Sequence, residues 1–217
     1  MAKRHLAAAL LIGLFSATSS QAASVSFYLD QSSGLPDGVN YLQVTIADGV
    51  DGAIDFTITA LQPLLDIAGE GFGIEKFAFN VVGDVGTTID NVTAMPAGWQ
   101  AGHNGLVSGF GTYDLIANHQ GSSGHNPLTL SVTGVDLDTV MSYVGLSSGS
   151  SPQGPSFFAV YVNGFSFGDC GDRESGKNCY TGAFFGGAQA VPAPPAIWLL
   201  GTAVAGLAVR RIRRTAA

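Results

Sequence analysis

The segment YLQVTIADGVDGAIDFTIT, residues 41–59, decides the fold class of this chain. Apolar side chains occupy every second position in both of its halves: Leu42, Val44 and Ile46, then Ile54, Phe56 and Ile58. This period of two is the pattern of a β-strand with one buried face and one solvated face. The Asp- and Gly-rich residues 48–52 between the halves favour a tight turn. The segment therefore predicts two half-buried antiparallel strands that are joined by a turn.

The same alternation recurs in residues 76–81, 128–133 and 158–163. Breaks rich in Gly and Asp separate the strand segments at roughly ten-residue intervals, a spacing typical of a sandwich of two sheets. One short helix is predicted over residues 138–144, where the apolar positions have helical spacing and Asp138 is the expected cap. The sequence thus predicts an all-β fold, a jelly-roll-like antiparallel two-sheet sandwich of about eight to ten strands with one short helix.

The N-terminus has the three parts of a secretory signal peptide in their usual order. Lys3 and Arg4 are followed by the uncharged apolar stretch 6–15, and small residues then lead to a cleavage site between Ala22 and Ala23. A buried helix at this place would need a polar face, which the apolar stretch lacks. We therefore predict a signal helix, removal of residues 1–22, and export of the rest of the chain.

The C-terminus consists of a proline-rich start, an uncharged stretch and a basic end. Val191, Pro192 and Pro194 precede the uncharged residues 196–209, which carry Trp198 near their start. This stretch is apolar all round and predicts a transmembrane helix, although its 14 residues rise only about 21 Å across a hydrocarbon core of about 30 Å. Basic residues favour the cytoplasmic side of a membrane, so we expect the preceding domain to lie outside the cytoplasm. The basic end consists of Arg210, Arg211, Arg213 and Arg214.

This three-part tail, residues 191–217, resembles the PEP-CTERM sorting signal of exported proteins from Gram-negative bacteria that make extracellular polysaccharide. Val191, Pro192 and Pro194 match the motif that names the family, and Ala193 stands where the family has glutamate. The resemblance implies transient residence in the inner membrane with the domain in the periplasm, and processing by exosortase, a membrane-embedded cysteine peptidase. It further implies delivery to the cell surface or to the extracellular matrix of a biofilm. It covers only the tail and implies nothing about the domain before it.

Residues 23–190 form the domain between these two signals, and their number suits one compact unit. All 16 acidic residues of the chain lie in this domain, against three of the nine basic ones, so its formal net charge is −13. Such a charge argues against binding to nucleic acid and against electrostatic adhesion to anionic lipid. It leaves many carboxylates that could meet divalent cations.

Cys170 and Cys179 are the only cysteines of the chain. In an exported protein, two cysteines that close so short a loop favour a disulfide. A metal-binding or catalytic role is less favoured, because the sequence offers neither a third thiol nor a neighbouring histidine.

The densest cluster of carboxylates lies at the predicted turn and comprises Asp48, Asp51 and Asp55. Calcium takes oxygen ligands from loops of this kind, although the spacing is not that of an EF-hand. The alternative is that Asp and Gly serve the turn alone, since both residue types favour turns for backbone reasons. The turn is the favoured interpretation, and calcium is the one cofactor that the sequence suggests.

Other candidate residues are aromatic rings, histidines and a serine motif. The motif Gly-x-Ser-x-Gly at residues 145–149 lacks the following helix that a nucleophile elbow needs, so no catalytic residue is assigned. The aromatic residues that could stack on sugar rings, with core packing as the alternative, are Trp99, Tyr113 and Tyr161. The histidines that lack the spacing of a zinc site, and that we expect in exposed loops, are His103, His119 and His125.

Three functions are consistent with these features. The leading hypothesis is an exported, non-enzymatic protein of the surface or matrix, with a structural or interaction role beside extracellular polysaccharide. The second is a carbohydrate-binding module, with or without calcium. The third is an enzyme that acts on polysaccharide, which would need two carboxylates about 5–10 Å apart in a cleft.

Overall fold

The computed structural model describes residues 22–119, 124–168 and 179–190. These residues form twelve β-strands, and every pairing between them is antiparallel. The strands are β1 (Ser24–Leu29), β2 (Gln31–Ser32), β3 (Leu42–Asp48), β4 (Ile54–Ala60), β5 (Ala68–Phe79), β6 (Val92–Thr93), β7 (Trp99–Val107), β8 (Gly111–His119), β9 (Leu128–Val132), β10 (Phe158–Gly168), β11 (Cys179–Gly187) and β12 (Gln189–Ala190).

The strands are divided equally between two sheets. Sheet A has the order β12-β1-β3-β4-β9-β6, and sheet B has the order β2-β11-β10-β5-β8-β7. The predicted all-β fold with two antiparallel sheets is therefore confirmed, and the five predicted strands are present as β3, β4, β5, β9 and β10. The strand count exceeds the prediction partly because β2, β6 and β12 have two residues each, too few to show a period in the sequence.

The inward faces of the two sheets meet in one hydrophobic core. Phe56 of sheet A lies at its centre, only 1% exposed, with its ring centroid 5.8 Å from that of Phe77 and 4.9 Å from that of Phe79, both in sheet B. Tyr143, which lies outside the strands, packs against the same group, with its ring centroid 5.7 Å from that of Phe56. The alternating apolar positions that predicted the strands are thus the positions that pack between the sheets.

A second, smaller apolar cluster covers the outer side of sheet B. Ala78 and Ala159 alternate along their strands with residues of the main core, so they face outward, where they pack with Phe110 and Tyr113. The loop 147–156 lies over this cluster, since its backbone is hydrogen-bonded to that of Gly109 and Thr112. Sheet B is therefore covered on both faces over part of its area, whereas the outer side of sheet A has no such layer among the described residues.

The helix predicted over residues 138–144 is wrong in its type, length and cap. Val140–Tyr143 form a single 3-10 turn, which Thr139, and not Asp138, caps in a reciprocal pair with Ser142. A 3-10 helix has about three residues per turn, which places Val140 and Tyr143 on one side, and these are its two buried residues. The one α-helical turn among the described residues, α1 (Gln62–Leu65), contains Pro63 near its start and was not predicted.

Several predicted features lie outside the described residues. These are the signal peptide up to residue 21, the whole tail 191–217 with its transmembrane stretch and arginines, and Cys170 with its disulfide to Cys179. Over the ranges given above, no helix is long and apolar enough to cross a membrane.

Candidate functional site

The outer side of sheet A presents an almost uncharged layer of hydroxyl groups, which we call the hydroxyl face. It arises because the polar positions of the alternating strands point away from the core, and Thr and Ser fill most of them. Asp55 is the one charged residue among the described strand residues on this face. The hydroxyl face consists of Ser24, Ser26, Tyr28, Gln43, Thr45, Asp55, Thr57, Thr59, Thr93, Thr129, Ser131 and Thr133.

Strand register arranges these side chains in rows that cross the sheet. In the central row, Thr45 of β3 stands beside Ser26 on one side and Thr57 on the other, and Thr57 in turn pairs with Thr129. Neighbouring strands lie about 4.8 Å apart, so hydroxyl groups repeat at about that distance along the row. The Ser26 and Thr45 hydroxyls are 2.8 Å apart and hydrogen-bonded, whereas those of Thr57 and Thr129 have no partner within the described part of the chain.

A shallow cavity of about 230 Å³ opens on the hydroxyl face at this row. Asp55, Thr57, Thr129 and Ser131 supply its polar side chains, and Phe56, Ala94 and Leu130 are the other lining residues. The Ser131 hydroxyl donates to Asp55 Oδ1 at 2.6 Å, which orients the carboxylate and leaves Oδ2 free to accept from a ligand. The cavity thus combines one fixed carboxylate with two unpartnered hydroxyl groups.

Gly49 leaves the space that the Asp55 carboxylate occupies. A Cβ atom placed on Gly49 would lie 2.6 Å from Asp55 Oδ2 and 2.8 Å from Cγ, closer than real contacts allow. The side chain of Asp55 could swing away from such an atom, because only its flexible end is in contact. The absence of a side chain at Gly49 therefore permits the observed orientation of the Asp55 carboxylate.

The three carboxylates proposed for calcium have separate roles. Asp48 Oδ2 accepts the backbone N–H of Ala23 at 2.8 Å, Asp51 lies exposed in the 3-10 turn after β3, and Asp55 belongs to the cavity described above. Among the described residues, no group of three or more His, Cys, Asp or Glu side chains could hold a metal ion. Residues 49–53 form the turn between β3 and β4, which includes the 3-10 turn Val50–Gly52.

The aromatic residues proposed for sugar stacking are mostly inside the protein. Trp99 is 7% exposed and Tyr113 is 1% exposed, so neither presents a ring to solvent, and their assignment as stacking platforms is corrected. Burial raises the pKa of Tyr113, against the opposing effect of hydrogen bonds with Ser156 and Ser147. Tyr161 is half-buried and packs on Phe184, with the two ring centroids 4.7 Å apart. Burial and the charge of Glu75 raise the pKa of Tyr161.

The three histidines differ in their exposure, and two of them lie in strands. His103 lies exposed in β7, and His119 is the last residue of β8. His119 and His125 are half-buried and pack on Trp99, each with a ring centroid 6.1 Å from that of the indole. The expected exposure is therefore wrong for His119 and His125. Strand pairing explains His119, because it brings Trp99 opposite this residue.

The hydroxyl face was not recognised as a site from the sequence. Its signal is present as threonine and serine at alternate positions, in Thr57-x-Thr59 and in Thr129-x-Ser131-x-Thr133. Threonine is common on any exposed strand, so the pattern alone does not distinguish a site from ordinary strand propensity. The near absence of charge across all the strands of sheet A becomes apparent only when the register is known.

No known protein family, no curated protein and no solved structure matches this chain.

Proposed function

We propose that this chain is an exported protein of the cell surface or extracellular matrix with a non-enzymatic role, and that its hydroxyl face contacts neutral polysaccharide. The observation that carries the proposal is the broad, nearly uncharged layer of hydroxyl groups on sheet A. Export rests on the predicted signal peptide, and sorting rests on the tail that resembles an exosortase substrate. In this proposal the chain resides transiently in the inner membrane before an exosortase-type peptidase releases it.

The chemistry of the face suits a neutral glycan better than a charged one. Hydroxyl groups both donate and accept hydrogen bonds, as do the hydroxyl groups of sugars. The free hydroxyls of Thr57 and Thr129 can therefore exchange water for sugar hydroxyls without leaving either partner unsatisfied. An acidic polysaccharide would be repelled by the domain charge of −13.

A carbohydrate-binding module is the second candidate, and the cavity at Asp55 favours it. A carboxylate whose one oxygen is held by Ser131 is a directed acceptor for a pair of sugar hydroxyls. In this case one sugar residue would occupy the cavity, and binding would depend on Asp55 more than on the rest of the face. An enzyme is less well supported, because no second carboxylate lines the cavity.

The test compares retention of the full chain on neutral dextran, on cellulose and on acidic alginate. The triple variant Thr45→Val, Thr57→Val, Thr129→Val removes the central hydroxyls but keeps side-chain shape and strand propensity. We expect retention on at least one neutral polysaccharide, and a loss of at least about tenfold in the variant, because each lost hydrogen bond contributes about 0.5–1.5 kcal/mol. Thr181→Val, on an exposed site of β11, is the matched control and should bind normally.

Two further variants separate the two candidate functions. Asp55→Asn removes the charge at the cavity, and Gly49→Ala turns the carboxylate away while leaving its charge in place. Loss of binding in both indicates a module with one sugar site, whereas normal binding in both indicates contact spread over the face. Equal retention of the original chain and the triple variant, or retention on alginate alone, would refute the hydroxyl face as the binding surface.

A further inference from the structure

Among the described residues, the longest edge strand of the sandwich is β7. It forms one margin of sheet B and pairs only with β8, in continuous register from Trp99 opposite His119 to Val107 opposite Gly111. Edge strands are commonly protected by charged side chains, by proline or by short length. β7 has none of these three protections, since its nine residues include no charged residue and no proline, and its Leu106 is 69% exposed. The 3-10 turn Ile89–Asn91 lies near one part of the strand.

A cavity of about 360 Å³ lies beside this edge. Its apolar wall is formed by Val81, Ile89 and Leu115, and His103 of β7 itself contributes to the lining together with Asp114 of β8. Thr87 and Thr88 complete the lining. Cavities of about 300–1,000 Å³ with a mainly apolar wall and a few polar groups are typical of binding sites, and this one has room for a large aliphatic side chain.

The surroundings of the cavity are acidic. Asp114 is held in place because its Oδ2 accepts the N–H of Val81 at 2.9 Å, which leaves its other oxygen available. Asp84 and Asp90 lie exposed on the loop that forms the opposite wall. No Lys or Arg lines the cavity, and Lys76 is the one such residue in the described ranges. A basic partner would therefore be attracted to this edge.

We propose that an extended, basic segment of another protein adds to sheet B along β7 and places one aliphatic side chain in the cavity. In this mode of recognition, main-chain hydrogen bonds to the open edge supply affinity, and a pocket for an alternate side chain supplies specificity. A Lys or Arg two positions from that side chain lies on the same face of the added strand and would pair with Asp114. This surface differs from the hydroxyl face, so the inference goes beyond polysaccharide contact and gives the protein a second partner.

A second copy of the chain is a weaker candidate for the same edge. Two copies would bring together two domains with a charge of −13 each, and each would bring its own Asp114 to the shared edge. Repulsion between like charges opposes such pairing unless the salt concentration is high. A basic segment gains attraction from the same charges.

The probes for the test are five synthetic peptides of nine residues that alternate Lys and Thr around a central Leu, Ile, Val, Met or Phe. Binding to the full chain is measured by fluorescence anisotropy at low salt. We expect at least one peptide to bind, and the same peptide with N-methyl groups on alternate amides to bind at least tenfold more weakly. Replacing its lysines with glutamates should abolish binding.

Two variants of the chain test whether the peptide binds at the cavity beside β7. Asp114→Asn keeps an acceptor for the Val81 N–H but loses the charge, and should weaken binding about fivefold. Val81→Trp fills the cavity and should weaken binding of the Leu peptide further, with circular dichroism as the check on folding. The triple variant of the hydroxyl face should bind the peptide normally, which keeps this test independent of the polysaccharide test.

Three results would overturn the proposal. One is the failure of all five peptides to bind, and another is equal binding of the N-methylated peptide, which would exclude strand addition. The third is a concentration-dependent dimer in sedimentation that Leu106→Lys abolishes, because a second copy would then occupy the edge.

Discussion

Replacement of Phe56 with alanine should remove the contact that most directly joins the two sheets. The Phe56 ring is 1% exposed and contacts Phe77, Phe79 and Tyr143, with ring centroids 4.9–5.8 Å away. Truncation of a buried phenylalanine costs about 3–5 kcal/mol through lost burial and the cavity left behind. Since rings surround this site on several sides and cannot all collapse into the gap, we expect a loss of about 4 kcal/mol in the free energy of unfolding.

Urea denaturation followed by tryptophan fluorescence measures this loss, and for a domain of this size it corresponds to a fall of about 8–16 °C in the melting temperature. Phe184→Ala is the matched control, because this half-buried phenylalanine lies outside the main core and should cost much less. Val50→Ala, at a position 82% exposed, should change stability by less than about 0.5 kcal/mol. A loss below about 1.5 kcal/mol for Phe56→Ala, or one no larger than that for Phe184→Ala, would show that Phe56 is not packed between the sheets.

Two further predictions concern ionisable groups. Burial first, and then a hydrogen bond with a neighbouring carboxylate, raises the pKa of Tyr143 from its ordinary value of 10.0, so stability should be complete below about pH 10 and decline as the pH rises further. Tyr143→Phe should make this alkaline decline shallower in a pH series of urea denaturations, and an unchanged slope would contradict the assignment. If export removes residues 1–22, the backbone nitrogen of Ala23, 2.8 Å from Asp48 Oδ2, becomes an ammonium group that pairs with this carboxylate. Asp48→Asn should then destabilise the processed chain by about 0.2–1 kcal/mol more than the unprocessed chain, whereas an equal effect, or a mature N-terminus other than Ala23 by sequencing, would contradict this pairing.

Much of the fold could be predicted because a strand with one buried face carries its period in its own residues. Leu42 to Ile46 and Ile54 to Ile58 alternate strictly, and both segments became strands of sheet A with the predicted turn between them. The prediction of an α-helix around Val140 was wrong because, over so short a length, a 3-10 turn and an α-helix bury apolar residues at nearly the same spacing.

The candidate sites could not be predicted to the same degree, because each depends on residues that are distant in the sequence. Thr57 and Thr129 are 72 positions apart and become neighbours only through the pairing of β4 with β9. The exposure of an aromatic ring also depends on residues that are distant in the sequence, since Tyr113 is buried by the loop that carries Ser156. Local sequence contains neither the register nor the path of such a loop.

The sequence by itself determined the fold class, the acidic character of the domain and the features of the two ends that indicate export and sorting. These follow from composition and from short-range periodicity, which act over a few residues. Only the tertiary structure decided which hydroxyl groups share a face, that Gly49 leaves room for the Asp55 carboxylate, and that β7 is an edge strand of the described sheet beside a cavity. The physical reason is that strand order and register are set by packing across the whole sandwich, because all the inward side chains must pack closely in one arrangement.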